Sequence, residues 1–173
     1  MKRYSLWKQA LGRCLKILQN GKIRSGMEVI MNNAIKSGIR ALRENAQVAY
    51  VASVNEEGFP QIKGMLVVEH ESMKTHYFST NTSSRRVGQF LKNPKASVYY
   101  VDDTKDQYKG ALFTGTMEVC TDHDTKAFLW RDGDEMYYPQ GVDDEDYCVY
   151  KFTAETVNYY YGLSNVTMPV DEL

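Results

Sequence analysis

The spacing of apolar residues changes along the chain, from a helical period in the first part to an alternating period afterwards. Through residues 1–25 apolar side chains recur every three or four positions, with lysines and arginines between them. This spacing predicts an amphipathic helix that docks on the rest of the protein or on a partner; a helix of this kind can also lie on a membrane surface. A second stretch of helical spacing covers Met27 to Arg43. Its predicted buried residues are Val29, Ile30, Ala34, Ile35, Ile39 and Leu42.

Two pairs that contain glycine, Asn20-Gly21 and Ser25-Gly26, stand between these helical patterns and predict a break in the chain. We therefore expect an N-terminal helical extension over residues 1–26 and a single domain over residues 27–173. A chain of 173 residues is long enough for such a domain to fold around its own core.

From Gln47 onward apolar and polar residues alternate, which is the period of β-strands. The turn sequence NEEG separates the first two alternating segments and predicts a β-hairpin. Gly110 and Gly115 predict bulges or bends in a long later segment. Six or seven antiparallel strands with few helices predict a mainly β fold, a barrel closed on itself with flanking helices. The predicted strands cover residues 47–54, 59–69, 74–80, 96–102, 108–120 and 147–162, and short helices are predicted before Asn93-Pro94 and over residues 122–130.

The composition limits the classes of function. The formal net charge of −1 gives no support to a nucleic-acid-binding surface. No apolar run is long enough to span a membrane, and no signal peptide is visible. The three cysteines, Cys14, Cys120 and Cys148, lie far apart and form no CxxC pair. This usage predicts small core residues in a reduced, cytoplasmic environment.

The first candidate site is the sequence FSTNTSSRRVGQFLKNP, residues 78–94, in which a strand end leads into a short helix. Arg85 and Arg86 fall in the first turn of that helix, where the helix dipole disfavours an exposed cation by roughly 0.3–1 kcal/mol. A phosphate bound to the free N–H groups of the helix start would reverse this effect, because guanidinium groups donate to phosphate oxygens in pairs. The alternative is that both arginines are solvated, since arginine is a good helix former. Nearby hydroxyl groups that could also donate belong to Thr80, Thr82, Ser83 and Ser84.

The second candidate site is the strand PQIKGMLVV, residues 60–68. Alternation places Lys63 on the same face as Met65 and Val67. A lysine within an apolar strand needs a partner, and Gly64 beside it would let a flat ligand approach the backbone closely. The alternative is an edge strand whose lysine points to water.

No metal site is predicted. His70 and His76 flank a turn, and together with His123 they lack the spacing that would bring several ligands to one metal or haem, so we interpret all three as surface residues. The acidic residues after the second short helix also lack the spacing of a calcium-binding loop, and we interpret them as a solvated loop. These acidic residues are Asp132, Asp134, Asp143, Asp144, Glu145 and Asp146.

Taken in order, the two candidate segments resemble a known family. A strand of the form P-x-x-K/R-x-M, a strand ending in F-x-T, and the sequence SRRV followed by NP are similar to the pyridoxamine 5′-phosphate oxidase-like FMN-binding split barrels. Within that superfamily the sequence is most similar to the general-stress-protein branch. The resemblance extends from about Met27 to Gly162, and residues 1–25 lie outside it.

The resemblance implies a cofactor, a partner and a set of site residues. In such proteins the cofactor is usually FMN, which lies between the two subunits of a homodimer. By position, Ser84, Arg85 and Arg86 would bind the phosphate, and Lys63 would reach the phosphate or the polar edge of the ring. Further contacts along the isoalloxazine ring and the ribityl chain would come from Met65, Leu66, Ser79 and Thr80.

The end of the chain departs from family members that oxidise pyridoxamine phosphate. Those proteins end with a tryptophan, two glycines and an R-L-H-D-R segment, whereas here Tyr160 stands near the tryptophan position and the arginines are absent. Gly110 or a neighbour replaces a glutamine that contacts flavin in the family. These differences argue against oxidation of vitamin B6 but leave flavin binding intact. Candidates for lining the substrate face are Tyr108, Tyr160 and Trp130.

The expected function is therefore an FMN-binding oxidoreductase that passes electrons between a reduced nicotinamide, or another donor, and a small-molecule substrate. Two alternatives stay open. The first is a non-catalytic flavin-binding stress or sensor protein. The second keeps the barrel and replaces the ligand with haem or a deazaflavin.

Overall fold

The computed structural model describes three ranges of the chain: residues 21–68, 72–102 and 108–173. The chain divides into two compact units between Gly38 and Ile39, within helix α1 (Gly21–Asn45). Most of the predicted N-terminal amphipathic helix lies outside the described ranges. The predicted domain boundary at residue 26 therefore stays a prediction.

Helix α1 differs from the prediction in its continuity and in its buried face. Within the described residues it runs from Gly21 through Ser25-Gly26 to Asn45, so the break predicted at Ser25-Gly26 is wrong. A single glycine inside a helix costs only about 1 kcal/mol relative to alanine, which neighbouring helical residues can offset. Three of the six predicted buried residues are buried: Ile35, Ile39 and Leu42. The other three are exposed, because helical spacing marks a stripe without showing which of its turns are covered: Val29, Ile30 and Ala34.

Within the described ranges, seven strands and two further α-helices follow α1, and up to the sixth strand they confirm the predicted order of elements. The alternating pattern did not predict the last strand, which follows a turn at Gly162, where the φ of +59° favours glycine. The strands are β1 (Val48–Val54), β2 (Pro60–Leu66), β3 (Thr75–Asn81), β4 (Lys95–Asp102), β5 (Lys109–Cys120), β6 (Tyr147–Tyr161) and β7 (Ser164–Pro169). The helices are α2 (Arg85–Lys92) and α3 (His123–Leu129), and short 3-10 helices cover Asp134–Met136, Gly141–Asp143 and Val170–Glu172.

The strands form one antiparallel sheet in the order β2-β1-β4-β5-β6-β3. Strand β6 is long enough to pair with β3 through its first half and with β7 through its second half, while β5 pairs along nearly all of it. Contacts between β2 and β3 bring the two ends of the order together and curl the sheet into a barrel. The mainly β, antiparallel barrel predicted from the sequence is confirmed.

Two glycines in β5 accommodate neighbouring groups in different ways. The register between β5 and β6 shifts at Gly115, and a Cβ added there would lie 2.0 Å from the Thr153 carbonyl oxygen. This confirms the predicted bulge. No register shift occurs at Gly110, where a Cβ would lie 2.1 Å from the Tyr99 hydroxyl oxygen. Gly110 therefore makes room for a phenol ring rather than for a bend.

The loop between α3 and β6 is folded over its own small core. Five buried residues form this core, and Trp130 packs against it. Asp144 is buried as well, and its carboxylate accepts hydrogen bonds from the backbone N–H groups of Gln140 and Asp146. The prediction of a solvated acidic loop is therefore wrong for Asp144, whose acidic group holds a turn. The five core residues are Cys120, Leu129, Tyr138, Tyr147 and Val149.

Cys120 and Cys148 are buried free thiols, which confirms their prediction as core residues, and Cys14 lies outside the described ranges. Burial raises the pKa of Cys120 to about 11 and also raises the pKa of Cys148. Both thiols therefore stay protonated near neutral pH and are poor nucleophiles or metal ligands.

The interior of the barrel holds a chain of polar groups centred on His76, which was predicted at the surface but is 1% exposed. Its Nε2 lies 2.9 Å from the Met73 carbonyl oxygen, which can only accept, so in the neutral ring Nε2 carries the proton. Nδ1, 2.6 Å from the Tyr100 hydroxyl, then accepts from that hydroxyl. Tyr100 in turn is hydrogen-bonded to the Arg43 side chain. The surface prediction for His76 is wrong, because His76 shares the inner face of β3 with the buried Phe78 and Thr80, and this chain of hydrogen bonds explains how a polar ring is tolerated there.

Replacing Tyr100 with phenylalanine is expected to destabilise the protein by about 1–3 kcal/mol, because the buried Nδ1 of His76 loses its donor. Urea unfolding at one protein concentration would measure the difference. Tyr137→Phe, at a tyrosine that is 70% exposed, is the matched control and should unfold like the wild type. Equal stability of Tyr100→Phe and wild type would contradict the role of the hydroxyl.

Candidate functional site

The eight predicted site residues lie along the two strands that end the sheet order and at the start of the helix that follows one of them. Strand β2 pairs with β1, and β3 pairs with β6, among the described strands. A strand at the end of a sheet leaves one row of backbone N–H and C=O groups outside the ladder. The residues are Lys63, Met65 and Leu66 on β2, Ser79 and Thr80 on β3, and Ser84, Arg85 and Arg86 at the start of α2.

Neighbouring predicted residues on each strand point to opposite faces. On β2, Met65 is buried and Leu66 is 63% exposed. On β3, Thr80 is buried, whereas Ser79 is half-buried on the other face. A single ligand could therefore contact both members of each pair only through the strand backbone.

Lys63 stands on β2 directly opposite Val51 of β1. Its side chain is exposed and forms no salt bridge within the described residues. Alternation puts Lys63 on the same face as the buried Met65, as predicted. The exposed side chain of Lys63 is therefore available to an anion.

The two arginines at the start of α2 diverge. Arg85 is exposed, whereas Arg86 is 8% exposed. Arg86 Nη2 donates to the Val51 carbonyl oxygen at 3.4 Å, and its Nη1 is buried without a hydrogen-bond partner in the described part of the chain. Burial lowers the pKa of Arg86, while Tyr150 acts in the opposite direction. The interpretation of both arginines as solvated is therefore wrong for Arg86.

Lys63 and Arg86 meet at one residue of β1. Lys63 is the cross-strand partner of Val51, and Arg86 bonds to the Val51 carbonyl. Beside Arg86, the Tyr150 hydroxyl is also buried without a hydrogen-bond partner at normal distance among the described residues. Burial raises the pKa of Tyr150, against the effects of the Ser84 hydroxyl and the Arg86 charge. Buried polar groups that lack a partner are uncommon, and two of them, Arg86 Nη1 and the Tyr150 hydroxyl, lie at the predicted phosphate site.

An acidic residue that sequence analysis assigned to a solvated loop holds the turn before α2. The Asp146 carboxylate accepts from the Ser83 backbone N–H at 2.8 Å, the Ser83 hydroxyl at 3.1 Å and the Asn81 amide at 3.0 Å. These bonds hold the pKa of Asp146 below its usual value, the Ser83 backbone contributing most. Ser83, predicted as a donor to phosphate, therefore already donates to Asp146.

Three tyrosines form a cluster near the ends of β4, β5 and β6. The hydroxyls of Tyr99 and Tyr108 lie 2.9 Å apart, and the rings of Tyr108 and Tyr160 meet edge to face at 5.7 Å. Burial and the bond to Tyr108 raise the pKa of Tyr99 to about 12. The predicted grouping of Tyr108 with Tyr160 holds, but Trp130 packs on Tyr147, at the opposite end of β6, and does not join them.

The described residues contain no cluster of three or more histidine, cysteine, aspartate or glutamate side chains that could bind a metal ion. His123 is exposed and paired with Asp143 at 2.7 Å, and His70 lies outside the described ranges. Among the described helices, none has both the length and the apolar character required to cross a membrane.

The sequence of this chain was compared with models of known protein families and with curated proteins. Residues 35–161 match the sequence model of the pyridoxamine 5′-phosphate oxidase family. No curated protein matches the chain significantly.

Solved structures extend the match. A Clostridium acetobutylicum protein related to general stress protein 26 of Bacillus subtilis, of the pyridoxinephosphate oxidase family, is 42% identical, with a TM-score of 0.70 over 80% of this chain and 97% of that one. General stress protein 26 of Bacillus anthracis is 17% identical, with a TM-score of 0.62 over 78% and 97%. A heme-binding protein of Mycobacterium smegmatis, 15% identical with a TM-score of 0.62, covers 78% of this chain and 57% of its own. The last two share the fold, whereas the family match and the first structure show that this chain belongs to the pyridoxamine 5′-phosphate oxidase family, in the branch related to general stress protein 26.

Proposed function

We propose that this protein is an FMN-binding oxidoreductase whose phosphate site is the start of α2. The observation that carries the proposal is Arg86, a buried cation at that helix start with an unpartnered Nη1. An unpaired buried donor on a charged group is costly, and a phosphate oxygen is the acceptor that would satisfy it best. The family commonly holds a flavin, which fits this requirement.

The residues at the site fit the parts of FMN. Arg85, exposed at the first position of α2, and Lys63, exposed on β2, would add two further cations around a phosphate dianion. The unpaired backbone edges of β2, near Met65, and of β3, near Thr80, would offer donors and acceptors to the ribityl chain and to the polar edge of the ring. The predicted residues would thus act mainly through charge at the phosphate end and through the backbone at the ring end.

The flavin, when bound, supplies the hydride and electron transfer chemistry. The work of the chain is to bind and orient the phosphate, to exclude water from one face of the ring, and to present a substrate to the other. The Tyr99–Tyr108 pair offers hydroxyl donors at the protein surface. The pKa of Tyr99 is raised to about 12, so the Tyr99 hydroxyl stays protonated at neutral pH. We propose that the protein acts in the reduced cytoplasm, because its two buried cysteines are free thiols.

A haem-binding function is the second candidate, because the Mycobacterium smegmatis heme-binding protein shares the fold. The described histidines give it little support as axial ligands. Both ring nitrogens of His76 are engaged inside the barrel, and His123 pairs with Asp143. A flavin-binding protein without catalysis is the third candidate and differs from the first only in reactivity.

The visible spectrum of the purified protein is expected to show the two absorption bands of oxidised flavin, and anaerobic NADH or NADPH should bleach them. Flavin that resists both nicotinamides, yet bleaches with dithionite, would favour the non-catalytic candidate. A Soret band in place of flavin bands would replace the proposal with haem binding. Purification with added FMN, followed by desalting, controls for loss of cofactor during preparation.

We also propose a homodimer in which both subunits contribute to each site. The outer face of β1, β2 and β5 exposes large apolar side chains. Some of them are cross-strand neighbours, such as Leu66 on β2 and Val48 on β1. Soluble monomers rarely expose extended apolar patches, and closed two-fold dimers are the commonest way to cover them. The exposed residues are Val48, Tyr50, Ile62, Leu66 and Leu112.

A further inference from the structure

We propose that Asp146 is the positioning residue of the phosphate site: its carboxylate fixes Ser83 so that the start of α2 is presented to the phosphate. The proposal rests on the proposed function, since the phosphate is that of FMN. Asp146 itself touches no part of the cofactor in this scheme. It acts through the turn that joins β3 to α2.

The turn depends on Asp146 because α2 does not cap itself. The N-cap residue, Ser84, has an extended backbone and makes no side-chain capping bond. One residue earlier, Ser83 gives both its backbone N–H and its hydroxyl to the Asp146 carboxylate. Asn81 adds a third bond to the same carboxylate. The position of the helix start is thus set by a residue 63 positions away in sequence.

A separate backbone bond provides a means of isolating the side chain's effect. The Thr82 N–H donates to the backbone carbonyl of Asp146 at 2.8 Å, which continues the β3–β6 ladder beyond Asn81. Replacing the Asp146 side chain leaves this acceptor in place. The carboxylate therefore controls Ser83, whereas the backbone controls Thr82.

The negative charge of the Asp146 carboxylate has an electrostatic effect on FMN affinity that opposes its positioning effect. A negative charge close to the helix start repels a phosphate, so a charge effect alone would make every neutral variant bind FMN more tightly. A positioning effect predicts the reverse for a variant that removes the acceptor. Asparagine separates the two, since its Oδ1 can still accept from the Ser83 N–H while the charge is gone, and the Asn81 amide can flip to match it.

The test compares Asp146→Ala, Asp146→Asn and the control Asp143→Ala, which removes an exposed carboxylate of the same loop that bonds His123. FMN and riboflavin affinities are measured by fluorescence titration of apoprotein, and amide hydrogen exchange is measured by NMR. For Asp146→Ala we expect FMN affinity to fall about tenfold, by the loss of one well-placed charge-assisted contact, with riboflavin affinity unchanged. The Ser83 amide should exchange about tenfold faster or more, and the Thr82 amide at the wild-type rate. Asp146→Asn and Asp143→Ala should bind FMN at least as tightly as the wild type.

Three results would overturn the proposal. Tighter FMN binding by both Asp146 variants would show that the carboxylate acts only as a repelling charge. Equal losses of FMN and riboflavin affinity would show general damage to the fold, and unchanged FMN affinity in Asp146→Ala would show no role. If the wild type binds no FMN at all, the proposed function fails and the phosphate role fails with it, whereas the Ser83 and Thr82 exchange rates still show whether the carboxylate fixes the turn.

Discussion

Replacing Arg85 with alanine is expected to weaken FMN binding about ten- to a hundredfold. Charge-assisted hydrogen bonds contribute roughly 1.5–3 kcal/mol, and each 1.4 kcal/mol is about a factor of ten in affinity. Arg85 is exposed at the positive end of the α2 dipole, so its removal should leave the stability of the apoprotein unchanged or slightly raised. Titration of apoprotein with FMN, together with its thermal unfolding, measures both effects.

Riboflavin, which lacks the phosphate, is the control ligand for this prediction. Wild type and Arg85→Ala should bind it with nearly equal affinity, because the lost contact is to the phosphate alone. A variant that loses riboflavin and FMN equally would show that Arg85 shapes the ring pocket. A variant that melts well below wild type and keeps its FMN affinity would show a structural role instead.

Arg86 calls for a different substitution because it is buried. Alanine there would leave a cavity beside Tyr150 and Val51, so that losses of binding and of stability would be mixed. Methionine is unbranched, fills most of the volume of the arginine side chain and removes the charge. Exchanging a buried charge for an apolar group of similar volume is often neutral or stabilising, so Arg86→Met should lose FMN affinity about as much as Arg85→Ala without loss of apoprotein stability.

Helix geometry allows the two arginines to diverge but does not require it. Successive residues in a helix point about 100° apart, so Arg85 and Arg86 can lie in different environments, although the adjacent Arg86 and Val87 are both buried. What the sequence could not show is which of them turns inward. That depends on how α2 packs against the barrel. One contact that holds it there is the hydrogen bond from the Ser53 hydroxyl of β1 to the Gln89 side-chain oxygen, at 2.7 Å.

Six of the seven described strands and the two segments that carry the family motif were predictable, because both depend on local pattern. Alternation marked the strands, and the motif around Lys63 and Arg85 marked two segments that resemble a known family. The role of Asp146 was not predictable, since a hydrogen bond between residues far apart in sequence leaves no local pattern. Surface aspartates and a turn-holding aspartate look alike in one sequence. His76 was missed for a related reason, because Tyr100, the partner of its Nδ1, comes from another part of the chain.

The paired substitution Tyr50→Glu and Leu112→Glu is expected to separate the proposed dimer and to abolish FMN binding in one step. These residues lie on β1 and β5, 43% and 38% exposed, and each aligns with Tyr99 of β4, which lies between them. Two glutamates in each subunit would place four like charges in one two-fold interface, and unpaired charges at the centre of an interface cost several kcal/mol. The dissociation constant of the dimer should therefore rise by about a hundredfold or more. Sedimentation at micromolar protein concentration should then show monomers.

The matched control is Leu163→Glu, which adds a charge at an apolar residue that is 85% exposed in the turn before β7 and is not one of the five residues of the proposed face. It should sediment as a dimer and retain FMN. A site shared between subunits requires that FMN be lost together with the dimer, since each half-site then presents only its own edge strands and arginines. Monomers of the double variant that bind FMN with wild-type affinity would disprove the shared site and leave phosphate recognition at α2 as a property of the single chain. Loss of FMN in monomers that still melt like the wild-type apoprotein would instead locate part of the cofactor's contacts on the partner subunit.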